Sequence, residues 1–173
     1  PLGATPLGTM STTQWAWQQE IPIFAIHDLH QPAVATALRT LQPTVVCVAC
    51  FPWRIPESLL PIPNEGFINL HPSRLPHFRG PVPLFWQLRA GLTQSAITLH
   101  QMTKHFDRGS IIDQKTVTFP DGADSAALDI NFAQAGAGLL VRFIQALQAG
   151  HAVTRTPQPA GGSTQSWPQV DDF

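Results

Sequence analysis

Gly66-Phe67-Ile68-Asn69-Leu70-His71-Pro72-Ser73-Arg74-Leu75-Pro76, continued by His77-Phe78-Arg79-Gly80-Pro81, is the stretch from which the fold can be read. Phe67, Ile68 and Leu70 make a short apolar strand, and Pro72 ends its ladder because proline has no N–H to donate. Asn69 and His71 are two apart, so in extended chain both project from one face while Leu70 points to the other. An amide and an imidazole therefore converge at the carboxyl end of a buried strand, where an open α/β sheet places its ligand. From these residues alone, a satisfied strand-end histidine beside a turn-forming asparagine is an equal reading.

The chain has 173 residues, 43% apolar and 12% charged, with a formal net charge of −1. That size fits one globular domain with a full core. The low charge and the lack of a basic run exclude the electrostatic footprint of a dedicated nucleic-acid binder and point to a small, nearly neutral ligand. The longest apolar run, Val45 to Phe51, is too short to span a bilayer, and residues 1–20 lack the basic start and apolar core of a signal peptide. A cytoplasmic protein is expected. Cys47 and Cys50 form a C-x-x-C, but a strand over Thr44–Phe51 sends the two thiols to opposite faces, and no second ligand pair follows. They read as core cysteines, not as a zinc or redox site.

Residues 1–13 are low in complexity and are assigned no structure. Trp15 to Trp17 start a short helix, and Ile21–Ile26 is an apolar run of strand length. Pro32 opens a helix with Ala33, Val34, Ala37, Leu38 and Leu41 at helical spacing, stopped by Pro43. Strand, helix and the fully apolar Thr44–Phe51 strand make a βαβ unit, which calls for a mostly parallel sheet flanked by helices. Pro56–Leu60 begins another short helix, and Pro81 opens one through Leu84, Phe85 and Leu88. Ala96–His100 and Ile111–Phe119 alternate as two further strands, joined by the loop 104–109. Asp124 or Ser125 caps the longest helix, whose stripe is Leu128, Phe132, Ala135, Leu139, Leu140, Phe143 and Leu147. From Thr154 to Phe173 the composition turns to Pro, Gly, Gln and Ser. The expected organisation is one domain over 14–153, with 1–13 and 154–173 as low-complexity ends or linker.

Asp107 stands in Phe106-Asp107-Arg108-Gly109, which on its own reads as a turn. Taken with Asn-x-His-Pro-Ser-x-Leu-Pro, then Arg-Gly-Pro, then Thr-x-His-x-Met, the ordered set resembles the 10-formyltetrahydrofolate-dependent formyltransferases, densely from Thr44 to Phe119. This family includes the glycinamide ribonucleotide, methionyl-tRNA and amino-sugar formyltransferases. The resemblance implies a Rossmann-like α/β fold, an enzyme of one-carbon metabolism and a formyl group moved from 10-formyltetrahydrofolate to a primary amine, with no metal. It implies that Asn69, His71 and Asp107 are the catalytic trio. It also implies that Arg54, Ile55, Ser73, Arg74, Leu75, Pro76, Lys104 and Phe106 border the folate pocket.

Those residue types suit the chemistry. An amine attacking a formyl carbon builds an oxyanion, which the Asn69 amide and a His71 N–H can stabilise in a sheltered site. Asp107 can orient the imidazole and raise its basicity, or take the amine's proton itself. The expected activity is formylation of a small amine, an amino sugar on the resemblance of Pro83-Leu84-Phe85-Trp86 to that branch. The alternatives are a 10-formyltetrahydrofolate hydrolase using the same trio, and a folate-binding or scaffold module without turnover.

The chain departs from the family pattern in three ways. Arg74 stands where the family usually has leucine, either to bond the folate's acidic tail or to point into solvent. The first strand–helix–strand is expected to be lacking before Ile21, which leaves an exposed edge and favours association, homo-oligomers included, or instability. The sequence up to Phe173 includes nothing like the C-terminal domain with which methionyl-tRNA formyltransferases hold their tRNA, so a nucleic-acid partner is not expected without such a domain, and no membrane partner is expected.

Overall fold

The computed structural model describes residues 11–122 and 124–172. The helices and strands are α1 (Thr12–Gln18), α2 (Pro32–Leu41), β1 (Val46–Ala49), β2 (Phe67–His71), α3 (Pro83–Arg89), β3 (Gln94–Gln101), β4 (Ile111–Thr118) and α4 (Ser125–Gln148). Local chemistry accounts for the helix starts. Ser11 and Gln14 close a reciprocal capping box on α1, Pro32 and Pro83 occupy first turns, and the Asp124 carboxylate accepts the Ala127 N–H at the start of α4. The reading of residues 1–13 as structureless lies outside the described residues up to residue 10.

The strands lie in the order β1-β2-β3-β4, with β1 parallel to β2 and both remaining pairs antiparallel. The α/β architecture is as expected, but the sheet is mixed, not mostly parallel. The reason lies in the connections. Residues 72–93 stay at the carboxyl end of β2, where Gln87 of α3 donates to Pro72 O at 2.8 Å, so β3 begins there and must run back. Residues 102–110 are then too few for the crossover that a parallel β3–β4 pair requires.

One face of the sheet packs Ile68, Ile97, Leu99 and Val117 against Leu128, Phe132, Ala135, Leu139 and Phe143 of α4. The other packs Phe67 with Val34 of α2, Ile55 and Leu59. By strand alternation, Asn69 and His71 share the face of Phe67, away from α4. α4 is long and apolar enough to cross a membrane by length and composition, but in this fold it is a core helix with its apolar stripe seated on β3 and β4. Two glycines on it separate packing from propensity. A Cβ on Gly136 would lie 2.9 Å from Ile97 Cδ1 and 3.3 Å from Leu70 Cδ1, whereas one on Gly138 meets only Arg142 Nη1 at 3.8 Å. Gly138→Ala should therefore raise unfolding stability by about 0.5–1 kcal/mol. Gly136→Ala should lower it by about 1–3 kcal/mol, both read by urea denaturation.

Four local expectations are corrected. Ile21–Ile26 forms no strand: Ile21, Ile23, Phe24 and Ile26 are 46–63% exposed, Pro22 has no N–H, and no described strand lies alongside to accept the ladder. Cys47 and Cys50 are free and exposed: α4 covers β3 and β4 and leaves the Cys47 face of β1 open, and Cys50 lies past the end of that strand at φ 53°. Pro56–Leu60 is a turn. The segment 154–166, read as tail or linker, is bonded across the domain: Thr156 exchanges both backbone hydrogen bonds with Ile111 at 2.8 Å, and Thr164 pairs with Arg79.

Candidate active site

β2 delivers Asn69 and His71 side by side with β3, whose His100 stands directly opposite Asn69 in the ladder. The short 102–110 connection then brings Asp107 back over both. His71 Nε2 donates to Phe78 O at 2.8 Å and His100 Nδ1 donates to Gln101 O at 2.9 Å, since a carbonyl can only accept. In the neutral rings the remaining nitrogens, His71 Nδ1 and His100 Nε2, are therefore bare. Both face the same atom, Asp107 Oδ1, at 3.6 and 3.5 Å. The Asn69 amide donates to His100 Nε2 at 3.2 Å, and Asp107 Oδ2 accepts the Gly80 N–H at 2.8 Å.

Two basic nitrogens turned toward one carboxylate oxygen make a place where a proton can be received beside a negative charge. Burial pushes the His71 imidazole below its ordinary value of 6.5, against the opposing pull of Asp107 and the Phe78 carbonyl. Burial also pushes the Asp107 carboxyl up, but His100, His71 and the Gly80 N–H outweigh it and hold the group below its ordinary 3.8. At neutral pH the site thus pairs an ionised carboxylate with an unprotonated imidazole. This is a proton acceptor next to the charge that stabilises its conjugate acid.

The cleft beside these groups is lined by Arg54, Ile55, His100, Met102, Thr103, His105, Phe106 and Asp107, and is narrow, about 20 Å³. The Arg54 guanidinium stacks 4.8 Å over the Phe106 ring at its wall. A larger hollow of about 440 Å³, between Arg39, Gln42, Pro43 and Ser58, Pro61, Ile62, Asn64, touches none of the trio. Geometry and chemistry both favour the smaller one as the site, since it and not the larger one touches Asp107, a carboxylate with a displaced pKa.

The model of the formyl transferase family matches residues 7–144. The chain belongs to that family. Among its relatives is the methionyl-tRNA formyltransferase of Syntrophus aciditrophicus, 33% identical over 143 residues, covering 83% of this chain and 46% of the relative. The chain thus spans about half the length of the relative. Among solved structures, the phosphoribosylglycinamide formyltransferase of Streptococcus pneumoniae superposes with a TM-score of 0.71 at 23% identity, covering 79% of each chain. The formyltransferase PseJ of Anoxybacillus kamchatkensis, solved in complex with UDP-4,6-dideoxy-4-formamido-L-AltNAc and tetrahydrofolate, does so at 0.64 and 23%, covering 72% of this chain and 65% of its own. At these identities the structures share the Rossmann-like fold.

Within this formyl transferase domain, the structure brings Asn69, His71 and Asp107 together and sets Arg54, Ile55 and Phe106 on the cleft. It does not bring in the others. Ser73 is fully buried, with its hydroxyl donating to His77 O at 2.7 Å. Leu75 and Pro76 are buried in a turn held by Thr98 and Gln114: Thr98 Oγ1 donates to Ser73 O at 2.6 Å, and Gln114 Nε2 donates to Leu75 O at 3.0 Å. These residues shape the turn beneath His71 and do not line the cleft. Arg74 leans the other way, onto Thr116 Oγ1 at 2.8 Å on β4, and Lys104 is exposed between two lining residues without lining the cleft itself. His100 was missed as a site residue. It has the period-2 position of a buried strand residue, and only its pairing opposite Asn69 reveals its part.

Proposed function

We propose that this domain transfers a formyl group from 10-formyltetrahydrofolate to a primary amine of a small molecule. The observation that carries the reading is the pair of bare imidazole nitrogens, His71 Nδ1 and His100 Nε2, converging on Asp107 Oδ1 beside the Asn69 amide. The cleft residues suit a folate in kind: Ile55, Met102 and Phe106 offer apolar and aromatic surface to a flat ring, and Arg54 offers a cation. Bound there, the folate would supply an activated formyl group. As the amine's N–C bond forms and the donor's N10–C bond breaks, the amine would give up a proton that the departing N10 takes back, and His71 Nδ1, kept unprotonated by burial, is the group to receive and return it. Asp107 then faces an imidazolium at 3.6 Å and stabilises it. One N–H of the Asn69 amide is spent on His100, which leaves the second for the developing oxyanion.

An amino sugar is the acceptor this reading favours over a tRNA, because a chain with 12% charged residues and net charge −1 offers little to a polyanion. The working unit is then 14–153 together with the bonded segment 154–166, in a cytoplasmic setting. A second reading rests on the cleft's size. About 20 Å³ is room for roughly one water, and the same groups acting on water would hydrolyse the formyl donor.

The test is incubation with 10-formyltetrahydrofolate alone, with an amino-sugar nucleotide and with methionyl-tRNA, following loss of the formyl group. Loss that requires the amino sugar is the expected result. Loss without any amine would replace transfer by hydrolysis, and tight folate binding with no loss would reduce the domain to a binding module.

A further inference from the structure

We propose that Gln158 is a positioning residue of this site, acting through Asp107 from a segment far along the chain from the trio. This rests on the transferase reading for its kinetic consequence, but not for its geometry.

Both halves of the Gln158 amide are used. Its Oε1 accepts from Arg79 Nε at 3.1 Å and Nη2 at 2.7 Å, and its Nε2 donates to Asp107 O at 2.6 Å and Gly109 O at 2.9 Å. Arg79 is itself only 4% exposed and gives its remaining arm to Gly161 O at 3.3 Å. A buried guanidinium thus grips the amide oxygen, which polarises the amide and strengthens the N–H donors on its other side. Those donors close on the two carbonyls that bracket the Asp107-Arg108-Gly109 turn.

The turn needs holding. Asp107 sits at φ 51°, in the left-handed region that residues with a Cβ seldom adopt. Left to itself, the backbone would relax to an ordinary conformation and swing the carboxylate off the two histidines. Gln158 holds the main chain while the Gly80 N–H holds Oδ2, so the carboxylate is fixed from both ends. The charged and titratable groups around it are His71 of β2, His100 of β3, Arg79 before α3 and Arg108 in the turn.

Gln158→Met keeps the side chain's length and apolar stem but removes all four bonds. Glu65→Ala, which breaks the Arg155–Glu65 pair on the same segment, is the control for loosening the segment alone. The readout is the titration of the Asp107 carboxyl carbon by NMR, assigned with Asp107→Asn, beside kcat, KM and melting temperature. With Gln158→Met the Asp107 titration should move up toward its ordinary 3.8, and kcat should fall about tenfold or more with KM for the amine within about twofold. Gln158→Glu keeps the acceptor for Arg79 but loses the donors to the turn, so it should not rescue kcat. Glu65→Ala should lower the melting temperature with the Asp107 titration unmoved. The proposal is overturned if Gln158→Met leaves the titration where the parent has it, whether or not the melting temperature falls. If the parent transfers no formyl group, the transferase reading fails, and the titration still decides the role of Gln158.

Discussion

His71→Ala should lower kcat/KM for formyl transfer by about 10²–10⁴-fold, the usual contribution of a positioned acid–base group. The substitution removes the nitrogen 3.6 Å from Asp107 Oδ1 and strips the Phe78 carbonyl of its donor at 2.8 Å. The parent's pH dependence gives an independent check. Because burial depresses the His71 pKa, kcat/KM should stay level from neutrality down to about pH 6.5 and fall only below it. Stability follows the same direction. The unfolded chain takes a proton on His71 near 6.5 while the folded chain resists it, so folding free energy is lost as pH drops below that value and through the folded pKa. Asp107 adds a second loss: its depressed pKa stabilises the fold above 3.8, and that part disappears as pH falls through the folded value. Urea titrations from pH 8 to 4 should show the first loss in the parent and not in His71→Ala. An acid limb already falling above pH 6.5 would remove His71 as the proton acceptor.

Gly109→Ala should be at least as damaging, for a steric reason. A Cβ there would lie 1.7 Å from Gln101 O and 2.7 Å from its carbonyl carbon, both backbone atoms of β3 that cannot step aside. The Ser110–Gln101 bond at 2.9 Å and the Gln158 bond to Gly109 O would both have to give, and the Asp107 turn with them. The expected cost is about 3 kcal/mol of stability and more than about 10²-fold in kcat, since an ångström of misplacement at a catalytic group is enough for that. Gly122→Ala is the contrast. Its φ is positive at 72°, but no atom lies within 4 Å of the added methyl, so the substitution should add only backbone strain and leave activity in place. Equal kcat in Gly109→Ala and parent would mean that the turn does not set the carboxylate.

The nearness of Asn69 and His71 was legible because strand periodicity and a stopping proline place them together without reference to the rest of the chain. Asp107 needed the ordered motif set, since an Asp-x-Gly turn carries no direction. His100 was hidden by the pattern that revealed the others. In Ala96-Ile97-Thr98-Leu99-His100 it reads as one more alternating residue, and its function depends on which strand lies beside it. The same dependence on neighbours misled at Ile21–Ile26 and at Cys47: an apolar run becomes a strand, and a thiol becomes core, only where a partner strand or a covering helix arrives. The helices were easier because their signals are local. Pro32, Asp124 and the apolar stripe from Leu128 to Phe143 lie within the elements they define.

The bonds from residues 154–166 to Arg79 and the Asp107 turn also bear on the order in which the protein is made. On the ribosome the sheet and its paired histidines emerge well before Gln158, so a nascent chain can complete its core while the Asp107 carboxylate still lacks its anchor. On the proposed function, turnover would then begin only when residues 154–166 have been synthesised and have docked. A message cut short just after α4 would yield a domain with the fold and without the chemistry.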